Sequence, residues 1–130
     1  MTDRMTAEHQ NDQPVATAVA TTAPKVPITT QSVQYATVNG QRVTGYFAQP
    51  QQVTAPLPGL ITIHEWWGLN ENIEAMARRL AGEGYQVLAV DLYNGQTAQS
   101  PDKARQLVQE VTGNQAAAKE NLTQAFDYSG

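Results

Sequence analysis

The segment His64-Glu65-Trp66-Trp67-Gly68 sets an imidazole, a carboxylate and two indoles side by side. A zinc-protease reading fails at once, because the second histidine required by H-E-x-x-H is replaced by Gly68. Two readings stay open. A carboxylate lodged in a cleft beside indole surface is costly to ionise, which prepares it as a proton acceptor or hydrogen-bond partner. The alternative is a polar strand-end loop whose tryptophans simply pack as core. Cysteine is absent, which removes disulfides, thiolate metal ligands and a cysteine nucleophile together.

The elements around this segment favour a ligand-facing position. Gly59-Leu-Ile-Thr-Ile63 is a short apolar run without alternation, as expected of a strand covered on both faces. Ile73, Met76, Ala77, Leu80 and Ala81 then follow helical spacing, with Glu74, Arg78 and Arg79 opposite and Gly82 and Gly84 as the stop. Tyr85 to Val90 reads as a second buried strand ending at Asp91. This is a β-α-β unit, and ligands gather at the carboxyl ends of such strands. Upstream, Val33, Tyr35 and Thr37 are expected on one face of a strand, and Asn39-Gly40 marks a hairpin turn into a return strand over 41–48. Downstream, Ser100-Pro101 opens a helix carrying Ala104, Leu107, Val108 and Val111. Residues 115–128 read as another, with Ala118, Leu122, Ala125 and Phe126 on its apolar side.

Composition bounds the rest. Residues 1–30 are rich in Thr, Ala, Gln, Asp and Pro without apolar periodicity, so they are expected to form a disordered arm ahead of a domain over 31–130. The net charge of −4 comes with no basic cluster, which argues against a nucleic-acid partner. No apolar stretch approaches the roughly 18 residues of a membrane span, so no membrane partner is expected. The start lacks a basic-then-apolar signal pattern, and the compartment, cytoplasmic or periplasmic, stays open.

Pro58 to Tyr93 (PGLITIHEWWGLNENIEAMARRLAGEGYQVLAVDLY) resembles the first third of the dienelactone hydrolase (carboxymethylenebutenolidase) family. The family shares the Glu-aromatic-x-Gly turn, the helix ending in Gly-Tyr and the strand ending in Asp-Leu-Tyr. The resemblance extends over about 33–128. It implies an α/β fold, specifically the N-terminal half of an α/β-hydrolase with an incomplete sheet. It also implies a carboxylic ester or lactone hydrolase acting through an acyl-enzyme on a small molecule, with no metal or organic cofactor.

Carried over residue by residue, Glu65 resembles the active-site glutamate that contacts the resting nucleophile. Trp66 stands where a backbone N–H forms half of the oxyanion hole, a donor whose loss costs about 3–4 kcal/mol of barrier. His64 is expected to line the substrate site or make a structural hydrogen bond, since the family's triad histidine falls much later. Tyr93 either lines the cleft or packs; Arg105 either binds a substrate carboxylate or is a solvated helix-face residue.

The same resemblance demands a Gly-x-Ser/Cys-x-Gly elbow followed by an acid and a histidine. The serines are Ser32, Ser100 and Ser129, and none has the flanking glycines; Asp127 stands where the first would precede Ser129. The sequence is therefore expected to be a truncated copy that lacks nucleophile, acid and base. The alternative is a non-catalytic remnant or a module that binds a partner along its open strand edge. Either way one edge of the Leu60–Ile63 strand should lie bare. Expressed as these 130 residues, the chain is expected to be poorly stable and prone to aggregate. A cooperative thermal transition in a dispersed monomer would overturn that expectation.

Overall fold

A computed structural model of the protein describes residues 25–129. Most of the expected arm, 1–24, lies outside the described residues. The elements are β1 (Ile28–Val38), β2 (Gln41–Pro50), β3 (Gly59–Thr62), α1 (Glu71–Ala81), β4 (Gln86–Ala89), α2 (Pro101–Thr112) and α3 (Gln115–Ser129). They form one four-stranded sheet in the order β1-β2-β4-β3. The β1–β2 and β2–β4 pairs are antiparallel, and β3 runs parallel to β4 across the α1 crossover. The fold is therefore mixed α/β.

The hairpin forms at Asn39-Gly40, whose φ angles of 51° and 79° are the two positive values that a type I′ turn needs. Two features of the hairpin differ from expectation. β1 begins at Ile28, inside the segment assigned to the arm, because Ile28 pairs with Pro50 and Gln51 N–H donates to the Pro27 carbonyl at 2.9 Å. The alternation also breaks. Register passes from Gln34↔Thr44 to Ala36↔Val43, so Tyr35 is the extra residue of a bulge. The shift of pleat buries Tyr35 and Ala36 in succession and turns Thr37 outward.

Both faces of the sheet are covered, as the unalternating strands required. On one face Ile73, Ala77 and Ala81 of α1 pack against Ala48, Val87 and Ala89. On the other, Ala125 and Leu122 of α3 meet Tyr35, Ala36, Val43, Leu88 and Val90. Phe126, placed by periodicity on the apolar side, is exposed instead; Asn121 takes the inward position one turn before Ala125. The helices start where their caps dictate. The Asn70 side chain accepts from Ile73 N–H at 3.2 Å, and Ser100 Oγ accepts from Lys103 N–H at 3.3 Å ahead of Pro101. Among the described residues β3 has one strand neighbour, β4, and its other edge carries none.

The bulge has a structural use. Tyr35 Oη reaches across the sheet to the end of β4, accepting from Asp91 N–H at 3.0 Å and donating to Asn121 Oδ1 at 2.6 Å. Asn121 Nδ2 in turn donates to the Asp91 carbonyl at 2.9 Å. Tyr35, Asp91 and Asn121 are all buried. Burial pushes the Tyr35 phenol from its ordinary 10 up to about 12. The unfolded chain thus loses this proton near pH 10 and the folded chain two units later, so the tyrosine's contribution is complete below pH 10 and is lost as pH rises towards 12. Loss of tryptophan near-UV ellipticity across that window is expected, and a flat signal would refute it. Tyr35→Phe orphans a buried N–H and a buried amide oxygen, at a cost of about 2 kcal/mol. Amide exchange at Asp91 should then accelerate roughly 30-fold by that estimate; unchanged exchange would dismiss the network.

Candidate functional site

Because β3 and β4 run parallel, the loops leaving them emerge at the same end of the sheet. Once past Thr62 and Ala89 the chain leaves the ladder, and its backbone polar groups need other partners. Side chains supply them. Asp91 is buried, and its two carboxylate oxygens accept from Tyr93 N–H at 2.9 Å and Gly95 N–H at 2.8 Å. This holds the Asp-Leu-Tyr-Asn-Gly segment in a tight turn, with Asn94 and Gly95 both at positive φ.

The second loop is strapped to the first at three places. His64 Nε2 accepts from Leu92 N–H at 3.0 Å, and His64 Nδ1 lies 2.8 Å from the Glu65 carbonyl. A backbone N–H can only donate and a carbonyl can only accept, so the ring is neutral with its proton on Nδ1. The Trp67 carbonyl accepts from Ala98 N–H at 2.9 Å. Gly68, at φ +95°, comes so close to the first loop that a Cβ there would lie 2.8 Å from the Gln96 carbonyl oxygen and 3.0 Å from the Tyr93 ring. Beneath the straps, Trp66, Trp67, Tyr93, Ala98, Ala104 and Leu107 form a core of their own that seats α2 against the loops.

Four of the five residues singled out by sequence come together. Glu65, His64, Trp66 and Tyr93 share a cavity of about 190 Å³ whose remaining wall comes from Leu92, Val108, Val111 and Thr112. The Tyr93 ring stands 4.6 Å from the His64 ring, and burial pushes its phenol up to about 12, so at neutral pH it keeps its proton. Arg105 does not join them. It lies outside the cavity lining and makes a loose 3.8 Å pair with Asp102 one turn back on α2. Glu65 borders the cavity beside Trp66, but the residue is exposed, while its carbonyl is turned inward to His64 Nδ1 and Gly68 N–H. The tryptophans are buried, so the core-packing reading holds for them even though Trp66 also touches the cavity.

Sequence reasoning passed over Tyr35, Asn121 and Gly68 as parts of the site's support. Asn121 was findable, since an amide among Ala118, Leu122 and Ala125 on an inward helix face needs a buried partner. Tyr35 was not, because only the bulge aims its hydroxyl at Asp91.

Among the described residues no helix is long and apolar enough to cross a membrane. A "Putative carboxymethylenebutenolidase" of Aquifex aeolicus is 41% identical over 76 residues, which cover 56% of this chain and 32% of that protein. A "Putative hydrolase fragment YghX" of Escherichia coli is 37% identical over 100 residues, covering 75% of this chain and 84% of its own length. Among solved structures, a dienelactone hydrolase-like promiscuous phosphotriesterase from metagenomic libraries superposes with a TM-score of 0.69 at 27% identity, over 79% of this chain and 43% of that one. The chain thus spans about a third of the Aquifex relative and most of the shorter Escherichia one. Residues 43–129 match the model of the dienelactone hydrolase family, and the chain belongs to that family.

Proposed function

We propose that these residues build the oxyanion-stabilising side of an active site that hydrolyses carboxylic esters or lactones through an acyl-enzyme. One observation carries the reading: Glu65 and Trp66 lie past the carboxyl end of β3 between His64 and Trp67, which are strapped to Leu92 and Ala98 beyond β4, around one largely apolar cavity. An attacking nucleophile converts the substrate carbonyl to a tetrahedral oxyanion, and the Trp66 N–H meets the charge that develops there. Collapse of that intermediate expels the alcohol or ring-opened oxygen. Water then attacks the acyl-enzyme through a second oxyanion and returns the nucleophile. Apolar walls from Leu92, Val108 and Val111 suit the hydrocarbon part of such a substrate and strengthen the donor by excluding water.

No Gly-x-Ser/Cys-x-Gly elbow occurs in the 130 residues, so the nucleophile in this proposal stands on a further strand. The open edge of β3 is where such a strand would pair, since it would bring an elbow to the same end of the sheet as Glu65 and Trp66. Glu65, exposed now, would then be covered from that side.

The test joins residues 1–129 to the part of the Aquifex aeolicus relative that follows its counterpart of α3. The fusion is expected to hydrolyse p-nitrophenyl acetate with an initial burst of nitrophenol. Trp66→Phe should retain activity, whereas Trp66→Pro, which removes the N–H, should lower kcat by about 10²–10³-fold. Glu65→Ala should impair turnover without unfolding the protein. Gly68→Ala should lower both activity and stability, because the two loops must part to admit the methyl group. A folded fusion no faster than free imidazole would sink the proposal.

A further inference from the structure

His64, expected to line the substrate site or make a structural hydrogen bond, does both: it borders the cavity, and both of its ring nitrogens are bonded to backbone. We infer that His64 is a positioning residue that aims and polarises the Trp66 N–H by gripping the opposite end of the same peptide group. This rests on the ester-hydrolase reading for what the N–H does, but not for the grip itself.

The Glu65 carbonyl and the Trp66 N–H belong to one planar amide, and no peptide bond among the described residues is cis. In a trans amide the C=O and N–H point in opposite directions, so whatever fixes the oxygen fixes the direction of the hydrogen. Two donors fix this oxygen: His64 Nδ1–H at 2.8 Å and Gly68 N–H at 3.0 Å. Both carbonyl lone pairs are thereby used, and the amide has little freedom to rotate.

The second effect is electronic. Donation into a carbonyl draws electron density from the amide nitrogen and makes its N–H a stronger donor, and bonds in series reinforce one another where water is excluded. Here the series runs from Leu92 N–H to His64 Nε2, through the ring to Nδ1–H, and on to the Glu65–Trp66 amide. No proton moves along it. The ring works as a neutral relay of polarisation, which also excludes it as the general base of the reaction: its one basic nitrogen already holds the Leu92 N–H. His64 is buried and stands against the Tyr93 ring, so its orientation is held by packing as well.

Two substitutions separate the bonds. Asparagine places an amide nitrogen near the position of Nδ1 and can keep the donor to Glu65; glutamine places an oxygen near Nε2 and can keep only the acceptor for Leu92. In the ¹⁵N-labelled fusion described above, long-range ¹H–¹⁵N spectra should show His64 protonated at Nδ1 and not at Nε2. The Trp66 amide proton should shift upfield in His64→Gln, as its donor strength falls, and return most of the way in His64→Asn. Leu92 amide exchange should behave in the opposite sense, protected in His64→Gln and fast in His64→Asn. In the fusion described above, His64→Gln should lower kcat about tenfold with KM within twofold, and His64→Asn should recover most of that loss. An Nε2-protonated ring, or glutamine outperforming asparagine in the Trp66 shift and in kcat, would overturn the inference. An inactive fusion with the expected spectra would instead remove only the ester-hydrolase reading.

Discussion

The backbone of Asp91 is the point on which the described structure turns. β4 ends at Ala89, and Asp91 lies just beyond its ladder and is buried, so its N–H and C=O need partners from elsewhere. Its N–H is met by Tyr35 from the first strand and its carbonyl by Asn121 from the last helix. Its own carboxylate caps the turn that follows. One residue thus ties together segments that lie 86 positions apart in sequence, through a hydroxyl and an amide that each satisfy the other. In a dry interior such a network is strong only when complete, because each missing member leaves another polar group buried without a partner.

Everything at the carboxyl end of the sheet inherits its position from that anchor. The turn begun at Asp91 fixes the Leu92 N–H and the Tyr93 ring, which then locate His64, and His64 locates the Glu65 carbonyl. Close approach of Gly68 to Gln96 and Tyr93 completes the contact between the loops. A site composed of strand-end loops is precise only if its support is rigid. Here the rigidity comes from side chains that replace the ladder bonds the loops have given up. The surface ion pairs, such as Arg105 with Asp102, are solvent-screened and add little to it.

Much of this was legible in the sequence, and what was not has identifiable causes. The unalternating run at Leu60-Ile61 announced a strand covered on both faces; Leu60 indeed packs towards α1 and Ile61 towards α3. Asn39-Gly40, Ser100-Pro101 and Gly82 each encode a local conformation, so turn and helix ends could be read directly. The bulge at Tyr35 could not, since it depends on pairing with a strand whose register is set across the sheet. For the same reason Thr37 was assigned the wrong face. Glu65 illustrates a different limit: its neighbourhood with Trp66 in sequence suggested a closed cleft, but exposure depends on what else covers the loop.

The inward turn of Glu65's carbonyl and the outward exposure of its side chain are two aspects of one arrangement. A chain leaving a strand in the interior must satisfy each freed carbonyl, and here Glu65's is taken by His64 and Gly68. With the oxygen held inward, the N–H of the same trans amide is directed the other way. In the proposed hydrolase, the donor for an oxyanion would arise from the requirement that a buried carbonyl be paired, and would need no additional device. The loop pairs that carbonyl with one side chain and one backbone N–H, and an imidazole, offering a donor and an acceptor at opposite ends of a rigid ring, suits position 64 because it serves Glu65 and Leu92 at once.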